Sequence, residues 1–195
     1  MLHGLTGSSE LMRPLASRLC PEGWQLLLPE AKSSHPERGF AWWLRDATPA
    51  ELLDVASLAQ VAESTRGIVD EIIGLNPELV IVGGFSQGAA MALELLNSKL
   101  EPMIKGLILL SGKAASDSTL SGLAATSASQ QIPVRPVLWM HGRRDRVVPF
   151  AQAEQTLTAF RDASWPVTAL PHEKGHMVDL SQVAAIQSWI DDIVV

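Results

Sequence analysis

The 195-residue sequence lacks several features, and each absence narrows the range of functions. It has one cysteine, Cys20, which excludes an internal disulfide and a cysteine-based zinc site and leads us to expect a reducing compartment, the cytoplasm. No apolar run approaches the roughly 18 residues that a membrane-spanning helix needs. Acidic residues outnumber basic ones, 21 to 15, which argues against nucleic acid as a partner because phosphate binding requires excess positive charge.

Linkers and repeats are also missing. No Pro-rich or Gly-rich stretch divides the chain, no segment recurs at a fixed period, and the start shows no basic and apolar leader. Hydrophobic residues, at 47%, are sufficient for a buried core. We therefore expect one domain over residues 1–195, with the oligomeric state left open.

Short apolar runs alternate with longer amphipathic stretches along the chain. The predicted strands are Trp24–Leu28, Leu79–Val82, Gly106–Leu110, Val137–Met140 and Val167–Leu170. The predicted helices are Leu11–Leu19 behind a cap at Ser8 or Ser9, Leu58–Gly74, Gln87–Asn97, Phe150–Asp162 and Ser181–Ile193. This alternation predicts an α/β fold, a mostly parallel sheet with helices on both faces. The stretch Ser111–Gln131 breaks the pattern and is interpreted as a surface loop or a partial lid.

One strand runs into a turn with the pattern G-x-S-x-G, Gly84-Phe85-Ser86-Gln87-Gly88. A serine on a tight turn between a strand and a helix has strained backbone angles, and glycines on both sides avoid collisions with neighbouring backbone. Such a turn holds the serine hydroxyl above the sheet, at the positive end of the next helix. Ser86 is therefore the candidate nucleophile.

A serine nucleophile needs a base and an acid that orients the base, and in hydrolases of this kind both follow the serine in the chain. Asp145 lies on the loop after the predicted strand Val137–Met140, whereas the rivals Asp162 and Asp179 lie on or next to helices. His176 is favoured as the base because the preceding glycine permits a sharp loop, with His172 as the competitor.

Cleavage of an ester also requires two fixed N–H donors for the negative charge that develops on the carbonyl oxygen. One donor is expected from the main chain of Gln87, directly after the nucleophile. The second is assigned to the main-chain N–H of Leu5, with Thr6 as the alternate, on the tight turn His3-Gly4-Leu5-Thr6-Gly7. The alternative is that this turn only caps the first helix.

Four segments together resemble the phospholipase/carboxylesterase family of α/β-hydrolases, which includes the acyl-protein thioesterases. They are Leu2-His3-Gly4-Leu5, Gly84-Phe85-Ser86-Gln87-Gly88-Ala89-Ala90-Met91-Ala92, His141-Gly142 with Asp145 and Val148-Pro149, and Gly175-His176. The resemblance implies a serine esterase or thioesterase without metal or cofactor, acting on a small-molecule ester or thioester. It also implies Ser86, Asp145 and His176 as the catalytic triad and Leu5 and Gln87 as the oxyanion donors.

The sequence departs from the family pattern in three places. Only two residues precede His3, so we expect the sheet to lack one or more N-terminal strands, or the true start to lie upstream. Arg143, Arg144 and Arg146 surround the candidate acid, either as a solvated rim or as a field favouring anionic substrates. Around Trp42 and Trp43 the likeness is loose, and these residues either wall an acyl pocket, to which Met177 is added, or only pack in the core.

The sequence thus predicts a serine hydrolase that cleaves carboxylic esters or thioesters through an acyl-serine intermediate. Two alternatives remain open. One is a non-catalytic binding module of the same fold, and the other is a hydrolase of lysophospholipids or amides.

Overall fold

The computed structural model describes residues 1–44, 53–122 and 134–194, and a parallel sheet forms its centre. The strands are β1 (Ser33–Ser34), β2 (Phe40–Ala41), β3 (Val80–Phe85), β4 (Ile104–Leu110), β5 (Val137–Gly142) and β6 (Val167–His172). The main α-helices are α1 (Ser9–Leu19), α2 (Val55–Gly74), α3 (Gln87–Glu94), α4 (Phe150–Asp162) and α5 (Val183–Val194). Three 3-10 turns, at Leu95–Asn97, Glu101–Met103 and Leu180–Gln182, and a helical stretch over 117–122 complete the elements.

The four long strands are ordered β3-β4-β5-β6, and each neighbouring pair is parallel. Their side chains alternate between two apolar layers. In β4, Leu107 and Leu109 face one layer, while Ile108 and Leu110 face the other. The first layer includes residues of α2, α3 and α4, and the second includes residues of α1 and α5. Both faces of the sheet are therefore covered by helices, which explains why the strands read as uninterrupted apolar runs.

The predicted α/β fold with helices on both faces is confirmed, and α4 has the predicted bounds, Phe150–Asp162. Ser8 caps α1, since its hydroxyl accepts a hydrogen bond from the Leu11 N–H. The predicted helix Gln87–Asn97 is α-helical only to Glu94 and ends in a 3-10 turn. The small antiparallel hairpin of β1 and β2 gave no sequence signal.

The predicted strand Trp24–Leu28 is wrong, because residues 21–30 contain no strand. Leu27 packs against the core, and its carbonyl accepts one hydrogen bond, from the terminal amine of Met1. A short apolar run is compatible with either a strand or a buried loop. Only the presence of a neighbouring strand that continues the ladder separates the two.

The first residues are attached to the edge of the sheet. Leu2 forms an isolated parallel bridge with Gly84, with hydrogen bonds from the Leu2 N–H to the Gly83 carbonyl (2.8 Å) and from the Phe85 N–H to the Leu2 carbonyl (3.0 Å). Within the described residues no strand precedes α1. The bridge fixes the turn that contains Leu5 beside the end of β3.

The parallel arrangement brings the predicted chemistry to one edge. Ser86 follows β3, Asp145 follows β5 and His176 follows β6, so all three lie beyond the carboxyl ends of their strands. In open α/β sheets the loops at these ends form the ligand-binding crevice.

The turn at Ser86 requires glycines at Gly84 and Gly88. A Cβ at Gly84 would collide with the backbone of Gly88, and a Cβ at Gly88 would collide with the backbone of Leu2 and His3. Neither obstacle is a flexible side chain, so the main chain itself would have to shift.

We predict that Gly88→Ala lowers the free energy of unfolding by about 3 kcal/mol, since overpacking against backbone cannot be relieved by rotamer changes. Gly67→Ala is the matched control. It lies within α2, where the added Cβ meets only the end of Lys32 at ordinary contact distance, and it should stabilise the protein by about 0.5–1 kcal/mol. Urea unfolding of both variants measures the difference, and equal effects would contradict the steric explanation.

Candidate active site

Ser86 stands at the junction of β3 and α3 in a strained backbone conformation, with φ 55° and ψ −116°. L-residues rarely adopt this region, and it persists only where the surroundings enforce it. Here the Ser86 N–H donates to the Leu110 carbonyl of β4 at 2.9 Å, and Gly4 approaches the Ser86 Cβ from the opposite loop. The strained turn is held from both sides, so the hydroxyl has a fixed position.

The loops carrying Asp145 and His176 are joined through their main chains. The Arg143 N–H donates to the His172 carbonyl (2.7 Å), and the Arg144 N–H donates to the Lys174 carbonyl (3.2 Å). A Cβ at Gly142 would collide with the Lys174 and Gly175 carbonyls, so glycine is required for this close approach. Adjacent strands β5 and β6 therefore deliver an acid and a base to the same place.

The three side chains form a continuous hydrogen-bonded relay. His176 Nδ1 lies 2.7 Å from Asp145 Oδ2, and His176 Nε2 lies 2.9 Å from Ser86 Oγ. An ionised carboxylate can only accept, so Nδ1 carries the proton and Nε2 of the neutral ring accepts from the serine hydroxyl. This is the arrangement that a base needs in order to remove a proton from Ser86.

The Asp145 carboxylate is fully buried and has several donors. Its Oδ1 accepts the main-chain N–H groups of Val147 (2.8 Å) and Val148 (2.9 Å), while Oδ2 faces His176. A buried carboxylate requires such compensation, because an unpaired charge away from water is costly. The rivals Asp162 and Asp179 take no part in the relay: Asp162 ends α4, and Asp179 pairs with Lys174 at 2.6 Å.

The turn from Gly4 to Gly7 lies next to the nucleophile. It is closed by a hydrogen bond from the Gly7 N–H to the Gly4 carbonyl (3.0 Å), and Thr6 has a positive φ of 59°. Within the described residues, the main-chain N–H groups of Leu5, Thr6 and Gln87 donate to no acceptor. These three residues line the same cavity as Ser86 and His176. The predicted donors are thus close to the serine with their N–H groups available, and Thr6 stays the alternate to Leu5.

The Gln87 side chain has a role that sequence reasoning missed. Its Oε1 accepts the Trp42 N–H at 3.1 Å, and its Nε2 donates to the Trp43 carbonyl at 3.0 Å. The buried amide thereby attaches the Trp42–Trp43 segment to the first turn of α3. A glutamine at the start of a buried helix was the available signal, because a buried amide must find partners.

A cavity of about 600 Å³ opens over the relay, a size typical of small-molecule sites. Its apolar lining includes Trp43, Leu53, Ala90, Leu120 and Val148. Arg38 and Lys113 add positive charge, and Asp117 adds a negative one. A separate apolar cavity of about 480 Å³ beside β3 contains none of the predicted site residues.

Two residues expected at the pocket do not line it. Trp42 stacks on His3 with ring centroids 4.8 Å apart and donates its indole N–H to the His3 carbonyl, so it packs in the core. Met177 is half-exposed, and its carbonyl accepts the Ser111 hydroxyl at 3.0 Å. Trp43 alone of the three lines the cavity.

The arginines beside Asp145 also lie away from the cavity lining. The Arg143 side chain covers the Phe150 ring at 4.9 Å and pairs with the exposed Glu173 at 3.4 Å. Arg144 and Arg146 are exposed. The solvated-rim interpretation therefore fits these side chains better than a field directed at substrate.

The segment predicted as a loop or lid is described only in part. Residues 113–117 and Leu120 line the cavity, so this stretch forms one of its walls. Residues 123–131 of the predicted segment lie outside the described residues. Its function as a lid stays a prediction.

The other histidines lie outside the relay. His172, the competitor to His176, is buried and its Nδ1 accepts the Lys174 N–H at 3.2 Å. His3 Nδ1 donates to the Gly4 carbonyl (2.8 Å), and its Nε2 accepts the Ala31 N–H (3.1 Å). Burial lowers the pKa of His3 and of His141, because the charged ring would lose its hydration.

In residues 1–44, 53–122 and 134–194, which the structure describes, no group of three or more His, Cys, Asp or Glu side chains is arranged to hold a metal ion. No helix in those ranges is long and apolar enough to cross a bilayer.

A serine on a turn between a parallel strand and a helix, with acid and base after later strands of the sheet, defines the α/β-hydrolase class. The chain belongs to the serine hydrolase (FSH1) family, whose model matches residues 1–184. Curated relatives support the carboxylesterase branch that the sequence motifs resemble.

One relative is the carboxylesterase SOBER1 of Arabidopsis thaliana, which is 31% identical over 144 residues, 71% of this chain and 60% of that protein. Acyl-protein thioesterase 1 of Saccharomyces cerevisiae is 30% identical over 107 residues, 55% of this chain and 44% of the relative. A probable inactive carboxylesterase of Oryza sativa is 24% identical over 151 residues, covering 75% and 59%. The chain thus spans three fifths or less of these relatives.

The crystal structure of Arabidopsis SOBER1 matches the fold with a TM-score of 0.75 at 24% identity, covering 100% of this chain and 97% of that one. At this identity the superposition shows the shared α/β-hydrolase fold. The fold and the family are therefore established by separate comparisons.

We predict that Gln87→Leu destabilises the protein by about 2–3 kcal/mol, because it leaves a buried N–H and a buried carbonyl of the Trp42–Trp43 segment without partners. The control is Gln60→Leu, which removes a single exposed hydrogen bond to the Leu44 N–H. Chemical unfolding compares the two variants. If Gln87→Leu loses no more stability than Gln60→Leu, the Gln87 amide does not hold the Trp42–Trp43 segment to α3.

The buried histidines predict a pH dependence of stability. Because the pKa of His3 is lower in the folded protein than in the unfolded chain, the unfolded chain binds more protons below about pH 6.5. The free energy of unfolding should therefore decrease as the pH falls from 7.5 to 5.5. His3→Gln should make this decrease smaller, and an unchanged slope in urea titrations would contradict the assignment to His3.

Proposed function

We propose that this protein hydrolyses carboxylic esters, including thioesters, in two acyl-transfer steps through an acyl-Ser86 intermediate. The observation that carries the proposal is the unbroken relay from Ser86 Oγ to His176 Nε2 and from His176 Nδ1 to Asp145 Oδ2, with distances of 2.9 and 2.7 Å. Proton transfer between heavy atoms at these distances needs no rearrangement of the loops.

In the first step His176 Nε2 removes the hydroxyl proton as Ser86 Oγ forms a bond to the substrate carbonyl carbon. The tetrahedral intermediate collapses, the bond to the leaving group breaks, and His176 returns the proton to the departing alcohol or thiol. Water then enters the same site. His176 deprotonates the water as the water oxygen forms a bond to the acyl carbon. The bond from that carbon to Ser86 Oγ then breaks, and His176 gives its proton to Oγ, which releases the carboxylic acid and restores the serine hydroxyl.

Asp145 has the role of orienting the imidazole and stabilising its protonated form. The buried carboxylate accepts the Nδ1–H and has its other oxygen fixed by two main-chain donors, so it favours one tautomer of His176. The imidazolium that forms during each step lies against this fixed negative charge.

The main-chain N–H groups of Gln87 and Leu5 are the proposed oxyanion donors, with Thr6 as the alternate to Leu5. Gln87 is the first residue of α3, so its N–H has no partner within the helix. Fixed N–H donors stabilise the developing oxyanion strongly in a site that excludes water.

The cavity favours an acyl or alcohol group with apolar character next to the carbonyl, because Trp43, Leu53, Ala90 and Leu120 are among its lining residues. A neutral, short-chain ester such as p-nitrophenyl butyrate is therefore a suitable first substrate. A panel of thioesters, lysophospholipids and amides then decides the carbonyl class. We further propose a cytoplasmic location.

Ser86→Ala should reduce p-nitrophenyl butyrate turnover by at least about a thousandfold, since a triad serine cannot be replaced by its neighbours. Ser98→Ala is the matched control. It removes a hydroxyl that donates to the Leu95 carbonyl and accepts the Leu100 N–H, and it should keep full turnover per folded molecule. A fluorophosphonate probe should label the parent protein and Ser98→Ala but not Ser86→Ala.

Two outcomes would change the assignment. An unlabelled and inactive parent protein would favour the non-catalytic binding module. One relative, from Oryza sativa, is named a probable inactive carboxylesterase. Turnover retained in Ser86→Ala would mean that another group performs the reaction.

A further inference from the structure

A second histidine contacts the acid of the relay. His141 Nε2 lies 3.2 Å from Asp145 Oδ2, the same oxygen that accepts the His176 Nδ1–H. Both the His141 ring and the Asp145 carboxylate are completely buried. The mechanism proposed for Ser86, His176 and Asp145 gives this contact no role.

His141 is held in one orientation by its surroundings. It lies in β5, a central strand paired with β4 and β6. Its ring stacks on Trp139 with centroids 5.6 Å apart at 17°, and it meets the edge of Phe150 at 6.0 Å. A ring packed in this way cannot change rotamer without opening the core.

The hydrogen bond of His141 fixes its tautomer. Nε2 lies 2.9 Å from the Val148 carbonyl, and a carbonyl can only accept, so Nε2 carries the proton. Within the described residues Nδ1 is buried without a hydrogen-bond partner, as expected of a neutral ring. The N–H dipole is therefore close to Asp145 Oδ2 without adding a positive charge.

The Val148 carbonyl belongs to the loop whose N–H groups bind the other carboxylate oxygen. Val147 and Val148 donate to Asp145 Oδ1, and the Asp145 N–H donates to the Gly142 carbonyl at 3.1 Å. His141 thus contacts Asp145 directly at one oxygen and through the loop at the other. Without it, the carboxylate would lose one of the contacts that oppose rotation away from His176.

We propose that His141 is a positioning residue, which holds the Asp145 carboxylate in the orientation that accepts the His176 Nδ1–H. This inference rests on the proposed function, since it concerns the same relay. Burial lowers the pKa of His141, the hydrogen bond to the Val148 carbonyl and the charge of Asp145 raise it, and His176 and His172 lower it further, while Arg143 covers the Phe150 ring. A neutral His141 leaves the carboxylate paired with His176.

The test compares His141→Met with His141→Gln. Methionine fills the space without a donor, whereas the glutamine amide can still donate to the Val148 carbonyl. We expect His141→Met to lower kcat about tenfold to a hundredfold with little change in KM, because displacement of a catalytic group affects the transition state more than substrate binding. His141→Gln should recover most of the rate.

The pH profile separates positioning from a general structural loss. A misaligned carboxylate stabilises the His176 imidazolium less, so the acid limb of kcat/KM should move to lower pH in His141→Met. The low-field NMR resonance of the His176 Nδ1 proton should weaken or shift in the same variant. Ile186→Val, which removes a buried methylene on the other face of the sheet, should change neither property.

All rates are normalised to sites titrated with the fluorophosphonate probe. If His141→Met keeps the parent kcat and acid limb, or if His141→Gln is as impaired as His141→Met, the positioning proposal is overturned while the proposed function stands. If the parent protein shows no Ser86-dependent turnover, the proposed function fails instead. In that case an unchanged Nδ1 resonance in His141→Met would overturn the positioning proposal as well.

Discussion

The buried negative charge of Asp145 is the constraint on which the site depends. A carboxylate removed from water must be surrounded by donors, and here the donors come from its own loop and from the loop after β6, while the His141 ring of β5 lies 3.2 Å away. Satisfying the charge therefore draws these parts of the chain together. The same contacts that make the burial tolerable also set the orientation of His176 toward Ser86.

The nucleophile is fixed by steric rather than electrostatic means. Two glycines allow β3, α3 and the Leu2–His3 backbone to approach closely, and the strained Ser86 is held between β4 and Gly4. The Gln87 side chain extends this rigid unit to the wall of the cavity at Trp43. A site assembled from strand ends in this way needs little side-chain ordering when substrate binds.

Sequence reasoning succeeded where a local pattern has one physical interpretation. The apolar runs of β3, β4, β5 and β6 indicate buried strands, and the G-x-S-x-G pattern indicates a nucleophile turn because it stands between such a strand and a helix. It failed at Trp24–Leu28, because an apolar run is compatible with a strand or with a packed loop. It also gave no sign of the β1–β2 hairpin, whose two-residue strands are too short to show a period.

The periodicity of the sequence by itself determined the fold class, because buried strands and amphipathic helices have different apolar patterns. The motifs indicated the family by resemblance and marked Ser86, Asp145 and His176 as candidates for the relay. Only the tertiary structure decided that Trp43 rather than Trp42 lines the cavity, that the Gln87 amide bonds to the Trp42–Trp43 main chain, and that His141 contacts Asp145. These facts depend on which side chains meet across elements distant in the chain. A local sequence pattern cannot predict such long-range contacts, because they result from the packing of the whole molecule.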